Sequence, residues 1–241
     1  MSRTVVITQP MLFPWVGLLE QVCLSDVCVI YDDVQFSKGS FVNRVQLKTA
    51  TGPKWMTSPL KNLRLGQLIR EVALDDTKPW RRDHLAQLRS AYSAAPHAAE
   101  MLELVQGVYV RSHTTIGALA ADSMKSLCEY FGIVPGGGFV RSSELGIDGS
   151  SWPRVLKVIQ HLGGDRYVTG HGARSYMDHE AMERGGVRVM YMDYAKTPYR
   201  QLHGKFSPFI SALDLVANEG VAGRAMLNPR VLPWREFCAQ T

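Results

Sequence analysis

An alternation of short apolar runs and helix-period segments at the start of the chain limits the fold more than any other feature. Residues 4–8 are rich in β-branched side chains and are predicted to form a strand. Residues 15–22 have helical periodicity, and the apolar run 27–31 predicts a second, buried strand. Strand, helix and strand in this order are typical of α/β proteins.

The same alternation returns after three consecutive glycines in the second half of the chain. Strands are predicted at 139–141, 167–169 and 187–192, and helices at 152–162 and from Asp178 onward. This βαβαβ order predicts a parallel or mixed sheet flanked by helices. The C-terminal segment that follows is predicted to be helical and irregular.

The segment between these two parts has a different pattern. Residues 38–75 are β-rich, with a hairpin around Gly52 and a further strand near 68–74. Residues 79–131 have the periodicity of three helices, and Gly132 is placed to stop the last one. We therefore expect one α/β domain over residues 1–241, with a β-rich N-terminal insertion and a helical middle segment.

Length and composition favour a soluble protein. With 241 residues and 46% hydrophobic content, the chain can bury a sizeable core. Its apolar stretches fall short of the roughly 20 residues that cross a bilayer, and its start lacks the pattern of a signal peptide. The four cysteines form no CxxC pair, and neither a dinucleotide-binding nor a P-loop glycine motif occurs. We expect a cytoplasmic location, no metal and no cofactor.

Positive charge is concentrated in one part of the chain. Seven of the 27 lysines and arginines, and no Asp or Glu, lie between Ser37 and Arg70, so the remainder is close to neutral. Such a concentration of positive charge favours an acidic or phosphorylated partner. The alternative is that these basic side chains lie on a solvated face of strands and turns and contact no partner.

The first polar motif begins where the first predicted strand ends. Gln9 is expected to face the crevice in which open α/β sheets bind their ligands. Phe13 and Trp15 are candidates for an apolar wall beside it. The alternative is a turn fixed by Pro10 and Pro14, with the aromatic side chains as core anchors.

The second motif combines Asp32 and Asp33 with Gln35, Asn43 and Arg44. Adjacent carboxylates can accept a proton from an amine, because proximity raises the pKa of one of them. Arg44 is a candidate for binding a carboxylate or phosphate through two hydrogen bonds. Consecutive strand residues point to opposite faces, so only one aspartate is expected to enter a cleft. A buried ion-pair network is the alternative.

The third motif follows another predicted strand and runs from Thr169 to Tyr176. Gly170 and the hydroxyl-bearing residues around it suit a loop that binds a ligand through backbone N–H groups. His171 is a candidate base, since histidine accepts protons near neutral pH, although a histidine in such a turn is often only solvent-exposed. Ser142 and Ser143 end a further strand and either line the same crevice or cap the next segment.

Six stretches of the chain resemble the WbqC-like family in order, from Val5 to about Gly220. They are QPMLFPWVGLLEQV, DVCVIYDDVQFSKGSFVNRVQL, the W-R-x-x-H of Trp80 to His84, RSSELGI, YVTGHGARSYMD and SALDLVANEG. The resemblance implies a bacterial cytoplasmic protein, often encoded beside enzymes that assemble surface polysaccharides or specialised metabolites. Acyl or aminoacyl transfer to an amine is one activity it implies.

The family's polar motif residues carry over position by position. They fall on Gln9, Asp32, Asp33, Gln35, Asn43, Arg44, His84, Ser142, Ser143, Tyr167, Gly170, Tyr176 and Asp214. The chain departs from the family at His171, since the family's loop often reads Ser-Gly-Pro where this chain has Thr-Gly-His. The departure weakens the case for His171 as an essential base and leaves Asp32 or Asp33 as the better candidate.

The leading hypothesis is a transferase that moves an acyl or aminoacyl group from an activated, acidic carrier to an amine of a sugar or small metabolite. The carrier is expected to be a carrier protein or an aminoacyl-tRNA, held by Arg44 and the basic segment. One aspartate would accept the amine's proton, and N–H groups around Gly170 would stabilise the oxyanion. Gln9, Asn43 and Ser142 would orient the acceptor.

Two other functions stay open from the sequence. The chain is alternatively a non-catalytic binding module for an acidic carrier, tRNA or protein partner. It is alternatively an ATP-using ligase built on the strand-end crevice. No Ser–His–Asp or Cys–His arrangement is apparent, so a covalent nucleophile is not expected.

Overall fold

A computed structural model describes residues 2–240 of the protein. Its strands are β1 (Thr4–Thr8), β2 (Val27–Ile30), β3 (Arg44–Thr49), β4 (Gly52–Thr57), β5 (Phe139–Arg141), β6 (Arg166–Thr169), β7 (Arg188–Met192) and β8 (Val231–Pro233). Its α-helices are α1 (Val16–Cys23), α2 (Trp80–Tyr92), α3 (Ala98–Tyr109), α4 (Ile116–Tyr130), α5 (Ser151–His161), α6 (His179–Arg184), α7 (Leu213–Glu219) and α8 (Trp234–Ala239). Within this part of the chain, no helix combines the length and apolarity needed to span a bilayer.

The main sheet has six strands in the order β5-β2-β1-β6-β7-β8. The first five are parallel, and β8 pairs antiparallel with β7 at one edge. The fold is therefore α/β with a mixed sheet flanked by helices, as predicted. The βαβαβ alternation is also confirmed, although β2 and β1 lie between β5 and β6.

The strand order reverses at β1. From β1 the chain builds outward through β2 and β5, and it then returns to the other side of β1 with β6 and β7. In open α/β sheets the carboxyl ends of the strands on either side of such a switch point form a crevice. The order of the strands thus places the ends of β1 and β6 at one crevice.

Both faces of the sheet are buried. Val6, Cys28 and Ile30 belong to one apolar cluster, which also contains α1, the middle helices and α7. Val5, Ile7 and their neighbours on β2 face the opposite cluster, with α5 and α6. Because side chains alternate along a strand, each run of consecutive apolar residues supplies both layers.

The β-rich segment forms a separate two-stranded ribbon of β3 and β4, whose turn contains Gly52 at φ +100°. One face of the ribbon is buried through the side chains of Val45, Leu47 and Met56. The three predicted middle helices are α2, α3 and α4, and Gly132 follows α4 at φ +64°, a conformation that favours glycine.

One predicted strand was wrong, and one observed strand was not predicted. A 3₁₀ helix at Ile69–Glu71 and isolated bridges replace the strand expected near 68–74, because its backbone pairs with several segments in turn. The segment after β7 is mainly helical and irregular, as predicted, but it also contains the edge strand β8.

Candidate functional site

A cleft of about 310 Å³ lies at the carboxyl ends of β1 and β6. Its polar lining comes from Thr8, Gln9, Gln21, Thr169 and the two glycines of the turn after β6. Aromatic walls are added by Trp15, Tyr31, Tyr167, Tyr176 and Tyr194. The lining contains no Asp, Glu, Lys, Arg or His side chain among the described residues, so the cleft presents amides, hydroxyls and rings.

Two predicted residues form the β1 side of this cleft. Gln9 follows the last residue of β1, and Trp15 precedes α1. The Trp15 ring packs 4.7 Å from the ring of Tyr194, measured between centroids. A Cβ at Gly17 would lie 2.3 Å from the Trp15 ring, so the glycine lets this ring lie flat on α1.

Three further predicted residues form the β6 side. Thr169 ends β6 and is buried, while Gly170 opens the turn and Tyr176 is 45% exposed. The 3₁₀ helix His171–Ser175 begins at this turn, and the first N–H groups of a helix have no partner within it. The structure therefore brings Gln9, Trp15, Thr169, Gly170 and Tyr176 together.

His171 lies in the chain between two glycines of the lining, but its own side chain is not part of the lining. Its Nε2 lies 2.7 Å from the carbonyl oxygen of Met192, so Nε2 carries the proton and donates. The ring packs 5.2 Å from Tyr194, which lines the cleft, and 4.8 Å from Phe237. This tautomer leaves the lone pair of Nδ1 available as a proton acceptor.

The two aspartates lie in a network beside the cleft and do not line it. Asp32 is 1% exposed and accepts hydrogen bonds from the backbone N–H and the hydroxyl of Ser143, while Arg141 lies 3.5 Å away. Asp33 accepts from Ser142 Oγ at 2.6 Å and pairs with Arg154 at 2.5 Å. The ion-pair alternative therefore describes their surroundings.

This network bears on the charge of Asp33. Burial opposes ionisation, but the hydrogen bonds from Arg154 and Ser142 outweigh it and hold the pKa of Asp33 below its usual range. A carboxylate in that state is a weak proton acceptor. Arg154 also lies 4.9 Å from the ring of Tyr31, which links the network to one wall of the cleft.

The remaining predicted site residues lie elsewhere. Phe13 is fully buried, edge-on to Tyr109, so it is a core residue and does not form a wall of the cleft. Asn43 donates to the carbonyl of Ser58. Gln35 is exposed, and Arg44 projects from β3, where it donates to the carbonyl of Gly39 and stacks on Trp55.

The roles given to Gln9, the aspartates, Arg44 and Gly170 require these residues to meet at one pocket, and the structure brings only some of them together. Gln9 and Gly170 share the cleft, whereas Arg44 and both aspartates are absent from its lining. Sequence reasoning missed Gln21, Tyr31 and Tyr194 as lining residues. Tyr31 stands at the end of a predicted strand, a position from which its place in the cleft could have been predicted. No local sequence pattern indicated that Gln21 and Tyr194 line the cleft.

The basic segment is mostly at the surface, with one exception. Lys48 is 5% exposed, and its Nζ donates to Gln201 Oε1 and to two backbone carbonyls. It therefore cannot contribute to a surface for a partner. Within residues 2–240, no group of three or more His, Cys, Asp or Glu side chains is arranged to hold a metal ion.

Comparison with known proteins gives one family. A model described as the WbqC-like protein family matches residues 9–226. An uncharacterized protein of Mycobacterium tuberculosis is 33% identical over 221 residues, which cover 90% of this chain and 94% of that protein. No solved structure matches the chain.

Proposed function

This chain belongs to the WbqC-like protein family, and we propose that it is a transferase that moves an acyl or aminoacyl group from an activated carrier to an amine of a sugar or small metabolite. The observation that carries this proposal is the uncharged, aromatic-walled cleft at the switch point of the sheet. Amide and hydroxyl groups with flat rings suit a small polyhydroxylated acceptor.

The reaction forms an amide bond. The neutral amine attacks the acyl carbonyl carbon, the bond from that carbon to the carrier's oxygen or sulfur breaks, and the amine loses a proton. Gln9 and Thr169 orient the acceptor, and the N–H groups that begin the turn after Gly170 stabilise the oxyanion. The carrier leaves as a hydroxyl or thiol.

We assign the proton acceptor to His171 rather than to an aspartate. The Nδ1 lone pair of His171, a residue next to Gly170 in the turn, can take the proton, whereas Asp33 is bound by Arg154 and held ionised. Asp33 then acts as a positioning residue, which fixes Arg154 behind the Tyr31 wall. Asp32 holds the turn at Ser143.

The test uses mass spectrometry to detect amide products. The protein is incubated with acyl-CoA or aminoacyl-tRNA donors and a panel of amino sugars, with the corresponding hydroxy sugars as controls. We expect product only with the amines. His171→Gln should lower turnover about 10²- to 10⁴-fold, and Gln9→Ala should chiefly weaken acceptor binding.

A protein that binds these sugars but forms no amide with any donor would contradict the transferase and favour the binding module. An ATP-using ligase is less well supported, because the lining of the cleft has no cation for the phosphates. A thermal shift with ATP and Mg²⁺ that disappears in Gln9→Ala would favour the ligase instead.

A further inference from the structure

Two recesses lie along α2 on another part of the molecule. Trp80, His84 and Gln87 lie on one face of α2 and line a recess of about 430 Å³ opposite Trp55 and Thr57 of β4. Gln87 also lines a second recess of about 210 Å³, together with Lys54 and the turn of the ribbon. The two recesses therefore adjoin along the helix, and we call them the ribbon groove.

An exposed tryptophan forms one wall of the ribbon groove. Trp55 is 39% exposed on the outer face of β4, and its ring lines the first recess. The Arg44 guanidinium lies over this ring at 4.1 Å from its centroid, and Phe41 lies 5.8 Å away. A large ring held in this way at the surface is a platform on which another flat ring can stack.

Cations extend along and beyond the ribbon groove. Lys78 lines the first recess, where Asp83 is the carboxylate of the lining, and Lys54 lines the second. Burial lowers the pKa of His84 to about 4, so the imidazole in the groove is neutral near pH 7. Lys61 and Arg64 line a third, open recess of about 690 Å³ on the following loop, with Glu71 as its carboxylate.

We infer that this surface binds RNA, with bases stacked in the ribbon groove against Trp55 and phosphates on the surrounding cations. A mononucleotide would fill the first recess and leave Lys61 and Arg64 unused. An acidic peptide would neutralise the cations without using the Trp55 ring. RNA uses both the ring and the spread of charge.

The inference depends on the proposed function in one respect only, the identity of the acyl donor. If the chain is a transferase, the carrier of the acyl group is an aminoacylated RNA rather than a carrier protein. RNA binding itself does not require the cleft at the switch point, so the two ideas can fail separately.

The test is fluorescence anisotropy of a labelled single-stranded RNA of about 12 nucleotides, titrated with the full-length protein at several salt concentrations. Trp55→Ala should weaken binding on the order of tenfold through lost stacking. The pair Lys54→Glu and Lys61→Glu should also weaken it and should reduce the slope of log affinity against log salt by about 1.4.

Matched controls come from the C-terminal half of the chain, outside the basic segment. Trp234→Ala removes another tryptophan that carries an arginine, Arg235, over its ring. Lys157→Glu with Arg184→Glu makes the same charge change at exposed positions outside the basic segment. These variants should bind RNA like the parent protein, and circular dichroism should show that all variants are folded.

Equal losses in the control and ribbon variants would overturn the inference. So would competition by AMP or by polyglutamate as effective as that by unlabelled RNA, which would favour a mononucleotide or an acidic protein. RNA binding without amide formation would contradict the proposed transferase and support the RNA-binding surface. Amide formation from acyl-CoA without RNA binding would support the transferase and contradict the RNA-binding surface.

Discussion

Arg154 reaches from α5 to the end of β2, where two aspartates follow the strand. The pair Asp32-Asp33 is conspicuous in the sequence, but its partners come from β5, the residues after it, and α5, over a hundred residues away. Local pattern therefore identified polar residues at a strand end without showing whether they face a ligand or each other. That choice depends on which helix covers the strand end.

The Arg154–Asp33 pair leads to a prediction about stability. Arg154 and Asp33 have side chains that are 7% and 14% exposed, so Arg154→Met leaves a carboxylate largely shielded from water. We expect the free energy of unfolding in urea to fall by about 2 kcal/mol. The double variant with Asp33→Asn should lose less than the sum of the two single variants.

Arg235→Met is the matched control, because Arg235 pairs with Glu183 at an exposed site. The control should change the stability little. Similar losses in Arg154→Met and Arg235→Met would show that burial of the Arg154–Asp33 pair has no energetic consequence.

Most helices and strands formed where the sequence had both the matching apolar periodicity and residues that end such an element. The segment near 68–74 did not follow its pattern, because Leu68, Ala73 and Leu74 bridge three different partners, Gln35, Thr115 and Leu60. Alternating burial predicts that side chains face a core, but a strand also needs one neighbour that continues alongside it. The sequence of the segment carries no information about that neighbour.

Glycines at the joints between elements provide the second prediction. A Cβ on Gly164, between α5 and β6, would lie 2.6 Å from Val5 and 2.9 Å from Ile159, which are both buried. Gly164→Ala should therefore cost about 1–3 kcal/mol through overpacking. Urea denaturation with an unchanged m-value would measure it.

Gly107→Ala is expected to act in the opposite direction. Gly107 lies inside α3, and a Cβ there meets nothing within 4 Å. Alanine should stabilise the helix by about 0.5–1 kcal/mol. If both alanines shifted stability in the same direction, close packing at Gly164 would not be the cause.

At the scale of the whole molecule, the stability of the fold should depend on pH through His84. The ring donates from Nε2 to the Thr57 carbonyl and accepts from Tyr109, which joins α2, β4 and α3. Burial lowers its pKa from 6.5 to about 4. Below about pH 6.5 the unfolded chain therefore binds a proton that the folded chain does not, and acid favours unfolding.

We expect the free energy of unfolding to fall by about 2 kcal/mol between about pH 7 and pH 5 through this group. The window lies above the range in which most carboxylates titrate. His84→Gln keeps a donor for the Thr57 carbonyl but cannot titrate, so its stability should fall less over the same interval. Identical pH dependence in the two proteins would rule out His84 as the source.

The sequence by itself determined which segments form most helices and strands, that the strands are buried on both faces, and that polar motifs follow them. These properties follow from the short-range geometry of the backbone, which converts periodicity into faces. Only the tertiary structure decided the strand order, the residues of the cleft and the burial of the aspartates. These depend on contacts between distant segments, and no local pattern specifies which segments meet.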